Sequence, residues 1–340
     1  MKPKVKIRES NFELLRLIAM IMVVVVHVDF GTVGWPTATD LQDQFGTIVM
    51  KILVESFCIV CVDVFVLISG WFGIRPNAKK LAGFFFQCLF FSIGLWLACP
   101  LWGVERISSI KEIIKNFMCL EYWFVPAYLC LLILSPVLNS FIEKGGEKEI
   151  KTVIVAFFAF QLAYGWLVDT CGFGFGYSTL SFIGLYLLGR YLKLYSHKLS
   201  SLSCRTDFVI YAVSCSLIAS LEILLLRNGV QKYALFFYNS PLVIIASVFL
   251  ILGVSKIHFQ SKVVNYIAAS TFSIYLFHLH PAIFPVFQRY VVQVFSNYSG
   301  FSAFGVITLL IIIVCALSIL IDQIRKVCWK LISYKWKTNQ

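Results

Sequence analysis

Residues 12–30 read FELLRLIAMIMVVVVHVDF. The stretch is apolar apart from Glu13, Arg16, His27 and Asp29. A helix crosses the roughly 30 Å hydrocarbon layer of a bilayer with about 20 such residues. This segment is therefore a transmembrane helix candidate, and the whole chain has the same character. Hydrophobic residues make up 59% of the 340 and charged residues only 14%. A soluble domain runs at about 45–50% and about 25%. Lipid must therefore act as the main solvent.

Walking outward from the first span gives ten: 12–30, 48–74, 81–101, 122–142, 152–168, 178–195, 207–226, 238–254, 266–287 and 303–324. The predicted fold is all-α, a polytopic bundle of about ten transmembrane helices. It forms a single transmembrane domain over residues 1–340, with tails at 1–11 and 325–340. Pro281 and Pro285 lie in the ninth span, which should kink or break there. No internal repeat or low-complexity tract divides the chain. Lys2, Lys4, Lys6 and Arg8 ahead of the first apolar run also fit a signal peptide. Glu13 and Arg16 interrupt that run, however, and no small-x-small cleavage site directly follows it, which favours an uncleaved span.

The formal net charge is +12. Of the 29 Lys+Arg residues, 22 fall on the ends and loops of one side of the ten-span topology and 6 on the other, with Lys51 inside the second span. Basic residues mark cytoplasmic loops, so both termini are expected to be cytoplasmic. The excess charge needs no nucleic-acid partner, since no basic stripe is interleaved with aromatic residues in a polar segment. The eleven cysteines mostly lie in apolar runs, where they read as small buried hydrophobes. The pair Cys58 and Cys61 has no second pair to complete a metal site, and no metal is expected.

An ionisable group inside a span is destabilising by several kcal/mol and so suggests function. Arg16 and His27 are eleven residues apart. At roughly 100° per residue that is three turns plus about 20°, so both project from one face, about 16 Å apart along the axis. Arginine offers a permanently charged fork suited to phosphates. Histidine can accept a proton from a hydroxyl near neutral pH. A snorkelling Arg16 and a His27 bonded to a neighbouring helix would explain the same pattern without chemistry.

Further polar points fall at useful depths. Asp63 lies mid-span, where it could orient the His27 ring or pair with a cation. Ser69-Gly70 could allow close helix approach, and Ser69 has no obvious base to make it a nucleophile. Arg75 sits at the cytoplasmic mouth. Glu121-Tyr122-Trp123-Phe124 opens the fourth span as an aromatic belt, and Trp123 could line a sugar or donor pocket. His278 and His280 lie in the ninth span. A two-His metal site there lacks a third ligand, and His278 is the better candidate for chemistry. Glu55, Glu222 and Asp322 read as helix-end or interhelical partners.

Together these segments resemble acyltransferase family 3. Arg16 and His27 match its Arg-x10-His signature. Val62-Asp63-Val64-Phe65 with Ser69-Gly70 matches its second-helix motif, although the residues before Ser69-Gly70 read Phe65-Val66-Leu67-Ile68 where the family usually has Phe-Phe-Val-Leu. Tyr122-Trp123-Phe124-Val125-Pro126 is similar to its fourth-helix opening. Ser273-Ile274-Tyr275-Leu276-Phe277-His278 is similar to its late segment. The resemblance implies a bacterial inner-membrane enzyme that moves an acyl group, usually acetyl from acetyl-CoA, onto a hydroxyl of a surface polysaccharide or lipid-linked sugar. It implies His27 and Arg16 as the essential pair, with Arg75 carried over beside them as a substrate contact; from their positions in the spans, Asp63 is added as a third catalytic candidate and Trp123, Tyr275, His278 and Ser69 as candidate substrate contacts. Acyl-CoA would be a donor substrate and not a bound cofactor. The expected partners are acyl-CoA, a glycan acceptor and the bilayer. The fused periplasmic hydrolase-like domain of some relatives is not expected after the tenth span. Two readings without this chemistry stay open. A carrier or flippase should show inverted repeats, and a non-catalytic sensor should bring a soluble partner domain.

Overall fold

The computed structural model describes residues 8–103, 122–196 and 201–334, together with 111, 114, 115 and 118. Lys2, Lys4, Lys6 and Glu121 lie outside the described residues. Every regular element among the described residues is helical. We number the α-helices in chain order: α1 Ser10–Val28, α2 Ala38–Asp43, α3 Phe45–Cys58, α4 Cys61–Phe72, α5 Ala78–Ala98, α6 Phe124–Lys144 and α7 Glu147–Phe160. There follow α8 Thr179–Tyr195, α9 Cys204–Arg227, α10 Pro241–Ser255, α11 Lys262–Ala268, α12 Thr271–His278, α13 Phe284–Asn297 and α14 Gly300–Ile332.

Seven stretches among the described residues are long and apolar enough to cross a membrane: Ser10–Val33, Phe45–Phe72, Ala78–Leu101, Phe124–Lys144, Cys204–Arg227, Ala234–Ser255 and Gly300–Ile332. The other three expected spans fall on shorter helices. Residues 152–168 fall on α7 and the π turn Gln161–Trp166 that continues it. Residues 178–195 fall on α8, which has 17 residues. Residues 266–287 are divided among α11, α12 and α13. The break after α12 covers residues 279–283 and contains Pro281, which cannot donate a helical hydrogen bond.

The described chain forms two compact units. The first takes residues up to Val26, Trp35–Ile74 and Val137–Ala269. Between helices in lipid there is no hydrophobic driving force, so close packing and hydrogen bonds hold them. In α4 and α8 two glycines provide that closeness. A Cβ on Gly70 would stand 2.2 Å from the Tyr186 carbonyl oxygen, and one on Gly189 would stand 2.3 Å from that of Leu67. Neither position has room for a methyl group. The second expected span, 48–74, is not one helix here. It breaks at Ile59–Val60, between α3 and α4. A break at membrane depth frees carbonyl groups that lipid cannot satisfy. Tyr211 of α9 donates its hydroxyl to the Phe57 carbonyl at 2.7 Å, while the Val60 carbonyl keeps a helical partner, accepting from the Val64 N–H at 3.0 Å. The start of α1 is tied down by similar means. Asn11 donates to the Val254 carbonyl at 3.0 Å, and the Ser261 N–H donates to Ser10 Oγ at 2.9 Å.

The second unit takes His27–Gly34, Arg75–Pro136 and the described residues from Ser270 onward. Helices α5, α12 and α14 pack together in it. Phe84 stacks on Phe272 at 5.5 Å, and Phe272 on Tyr275 at 5.8 Å. Gln323 of α14 donates to Ser270 Oγ, just ahead of α12, at 3.1 Å. Asp322, buried on α14, accepts from Arg325 at 2.8 Å and 3.1 Å and from Gln87 at 3.3 Å. A buried carboxylate is tolerated when neighbours complete its bonds in this way.

Candidate active site

The candidate site is built around the end of α1. His27 lies in the last turn of that helix. The chain then tightens into a π turn, Asp29–Val33, where Thr32 donates back to the His27 carbonyl at 2.6 Å. Such π segments are frequent at functional sites. Within the second unit the His27 ring meets His278: His27 Nδ1 lies 3.2 Å from His278 Nε2. His278 Nδ1 in turn lies 2.6 Å from the carbonyl oxygen of Ile274, one helical turn back.

This chain of bonds assigns the tautomers of the neutral rings. A carbonyl oxygen only accepts, so His278 Nδ1 carries hydrogen. A neutral His278 then presents a lone pair at Nε2, and His27 must donate to it from Nδ1. The basic lone pair of His27 is thereby placed on Nε2. A base whose other nitrogen is oriented by a fixed acceptor is the arrangement used for proton abstraction from a hydroxyl. Burial separates the two roles. His278 is fully buried, whereas His27 is half-buried.

Each neighbour of His278 has a reason for its place. α12 has only eight residues, too few to be stable on helix propensity alone. Tyr122, itself buried, donates its hydroxyl to the Leu276 carbonyl at 2.8 Å. Tyr275 accepts from the Phe124 N–H at 3.3 Å. Phe284 and Phe287 line the other side of the pair, with ring centroids 5.9 Å from His27 and 6.3 Å from His278. His280 is engaged differently. Its Nε2 lies 2.9 Å from the Ser92 carbonyl oxygen, and its Nδ1 accepts from the Ala282 N–H at 3.1 Å. Both of its ring nitrogens hold the turn after α12, which is a structural role. Among the described residues no group of three or more His, Cys, Asp or Glu is placed to hold a metal ion.

The second unit thus gathers His27, His278 and Tyr275. Trp123 is half-buried there and meets Phe124 edge-on at 5.8 Å. Arg75 is exposed, and its carbonyl accepts from Lys80 at 3.2 Å. Arg16, Asp63 and Ser69 belong to the first unit. Arg16 pairs with Glu13 at 2.6 Å and lies over the Phe72 ring at 5.6 Å. Ser69 donates to the Phe65 carbonyl at 2.9 Å. Asp63 is completely buried, and neither of its oxygens has a hydrogen-bond partner among the described residues. The hydrogen bond that orients His27 comes from His278, where Asp63 had been considered for it. Sequence reading named His278 but missed its partner carbonyl and the Tyr122 bracket. The four-residue spacing from Ile274 to His278 was the available signal for the carbonyl.

Seven described stretches long and apolar enough to cross a bilayer place the chain in the class of multi-pass helical membrane proteins. A family model described as an acyltransferase domain, that of acyltransferase family 3, matches residues 9–322, and the chain belongs to this family. It is by family a membrane acyltransferase. Comparison with curated proteins and with solved structures gives no significant match.

Proposed function

We propose that the chain is an O-acyltransferase of the bacterial inner membrane. It moves an acyl group, most simply acetyl, from cytoplasmic acyl-CoA to a hydroxyl of a surface polysaccharide or lipid-linked sugar. In this reading ten segments cross the bilayer and both termini are cytoplasmic, which agrees with the distribution of basic residues. The observation that carries the proposal is the 3.2 Å contact of His27 Nδ1 with His278 Nε2, backed by the Ile274 carbonyl.

His27 Nε2 takes the proton of the acceptor hydroxyl as its oxygen attacks the thioester carbonyl. The C–S bond breaks, and the departing thiolate receives that proton as CoA–SH. The imidazolium formed in between donates through Nδ1 to His278, which holds the ring in position. Arg16 binds or orients the donor, since a guanidinium pairs with phosphate whatever the pH. Asp63 is retained as a third catalytic candidate. Arg75, Trp123, Tyr275 and Ser69 are proposed as substrate contacts, each within its own unit.

Mass spectrometry of surface glycans from a deletion strain tests this. Complementation with the wild-type chain should restore acylation, and His27→Ala should not, at equal protein level in the membrane. Full acylation by His27→Ala would remove the relay from the mechanism. A carrier is the second reading. It draws on the broken α3–α4 span, which has buried Glu55 and Asp63 on either side of the break, because broken helices and buried acids also build transport sites. Substrate movement in vesicles without acyl-CoA consumption would favour it.

A further inference from the structure

Three cations of the first unit converge on three consecutive residues at the end of α4. Arg16 of α1 lies over the Phe72 ring at 5.6 Å. Lys193 of α8 lies over the Trp71 ring at 4.9 Å. Arg190, one turn earlier on α8, donates to the Trp71 carbonyl at 3.3 Å. Its guanidinium carbon lies 3.3 Å from where a Cβ of Gly73 would be. Gly73 has φ +70°, so the absence of a side chain there serves both the backbone turn and the seat of Arg190.

Local negative charge offsets these groups only in part: Glu147 lies against Tyr191, between Arg190 and Lys193 on α8. The end of a helix supplies about half a unit. Glu13 pairs with Arg16 and is also 3.8 Å from Arg8. Neither Arg190 nor Lys193 has an ion pair among the described residues. The scaffold under them is nevertheless rigid. The Ile74 N–H donates to Tyr186 Oη at 2.9 Å, Tyr186 donates to Asn139 Oδ1 at 2.7 Å, and Asn139 donates back to the Ile74 carbonyl at 2.7 Å. Phe12 packs on Trp71 and Phe72 at 5.4 Å and 4.9 Å. Cations held on a preorganised frame with their charge only partly compensated form an anion site.

We infer that Arg190 and Lys193, with Arg16, form a phosphate-binding site at the end of α4 that takes a phosphate group of the acyl donor. This rests on the acyl-CoA reading above. The site lies on the side of the chain where basic residues concentrate, which is the side from which a cytoplasmic donor arrives. A phospholipid headgroup has the same phosphate chemistry and is the competing source.

Binding of coenzyme A to the full chain in phosphatidylcholine nanodiscs separates these cases. Arg190→Gln and Lys193→Gln should each weaken the dissociation constant by about tenfold. In turnover with acetyl-CoA, KM should rise far more than kcat falls. Gly73→Ala should do the same without altering charge, by displacing the Arg190 guanidinium, and Arg190→Lys should recover part of the loss. A wild type that binds coenzyme A and an Arg190→Gln chain that binds it equally well would overturn the inference alone. A wild type that binds none would overturn it together with the acyl-CoA reading. Unchanged coenzyme A affinity, with loss of phosphatidylglycerol retention in mixed nanodiscs, would assign the site to a lipid headgroup and overturn the donor assignment. Thermal unfolding of each variant shows whether lost binding is merely lost fold.

Discussion

His27 and His278 meet edge to edge and not face to face: their ring planes are inclined at 57° with centroids 5.2 Å apart, and the nearest nitrogens are 3.2 Å apart. The contact is thus directional and fixes the rotation of the His27 ring. Packing alone would leave the ring free to present either nitrogen outward.

Removing the fixing group should slow the enzyme without emptying its binding site. His278→Ala is expected to lower kcat by about 10–100-fold, the range seen when partners that orient an active histidine are lost. KM should change much less. His278→Gln can present a carbonyl oxygen to His27 Nδ1 and should recover part of the rate. Steady-state kinetics on purified protein provides the measurement. Wild-type kcat in His278→Ala would show that His27 needs no such partner.

Tyr122 acts one step further out. Tyr122→Phe leaves the buried Leu276 carbonyl without its hydroxyl donor, at a cost of about 1–3 kcal/mol. Because Leu276 is in the helix that carries His278, activity should fall together with melting temperature. An unchanged melting temperature in a detergent thermal-shift assay would argue that water replaces the hydroxyl.

The α4–α8 contact should be intolerant of even one carbon. Gly70→Ala and Gly189→Ala each place a methyl group against backbone 2.2–2.3 Å away. Overpacking of this kind is destabilising by about 1–3 kcal/mol. Because the two sites lie in one interface, the double variant should depart from additivity. Yield of folded protein after solubilisation reports the effect. Wild-type yield in both would mean the helices can separate at little cost.

Asp63 offers a test in which stability and activity part company. A buried carboxylate with no hydrogen-bond partner is destabilising, so Asp63→Asn and Asp63→Leu should unfold at higher temperature than wild type. If Asp63 serves catalysis, both lose acyl transfer as they gain stability. Retained transfer with raised stability would leave Asp63 no part in the reaction.

Much of this was legible in the chain because lipid imposes simple rules. Apolar runs mark the helices, and the eleven-residue interval from Arg16 to His27 needs only helix geometry. The Pro281 break could be read from chemistry for the same reason. The break at Ile59–Val60 could not. No Pro or Gly marks it, and the hydroxyl that caps the freed Phe57 carbonyl, on Tyr211, comes from a helix distant in sequence. The pairing of His27 with His278 was hidden likewise, since the two are 251 positions apart and nothing local fixes which imidazole faces which. Arg190 and Lys193 read as ordinary loop-side charges until Trp71 and Gly73 were seen beneath them.

The His280 clasp on Ser92 gives the relay a remote point of control. The turn that ends the His278 helix is fastened to α5 by one imidazole, and that fastening lies away from the nitrogen that would meet substrate. Loss of that single bond would let the turn, and His278 with it, shift. Activity would then fall in a way that raising the concentration of donor or acceptor could not restore.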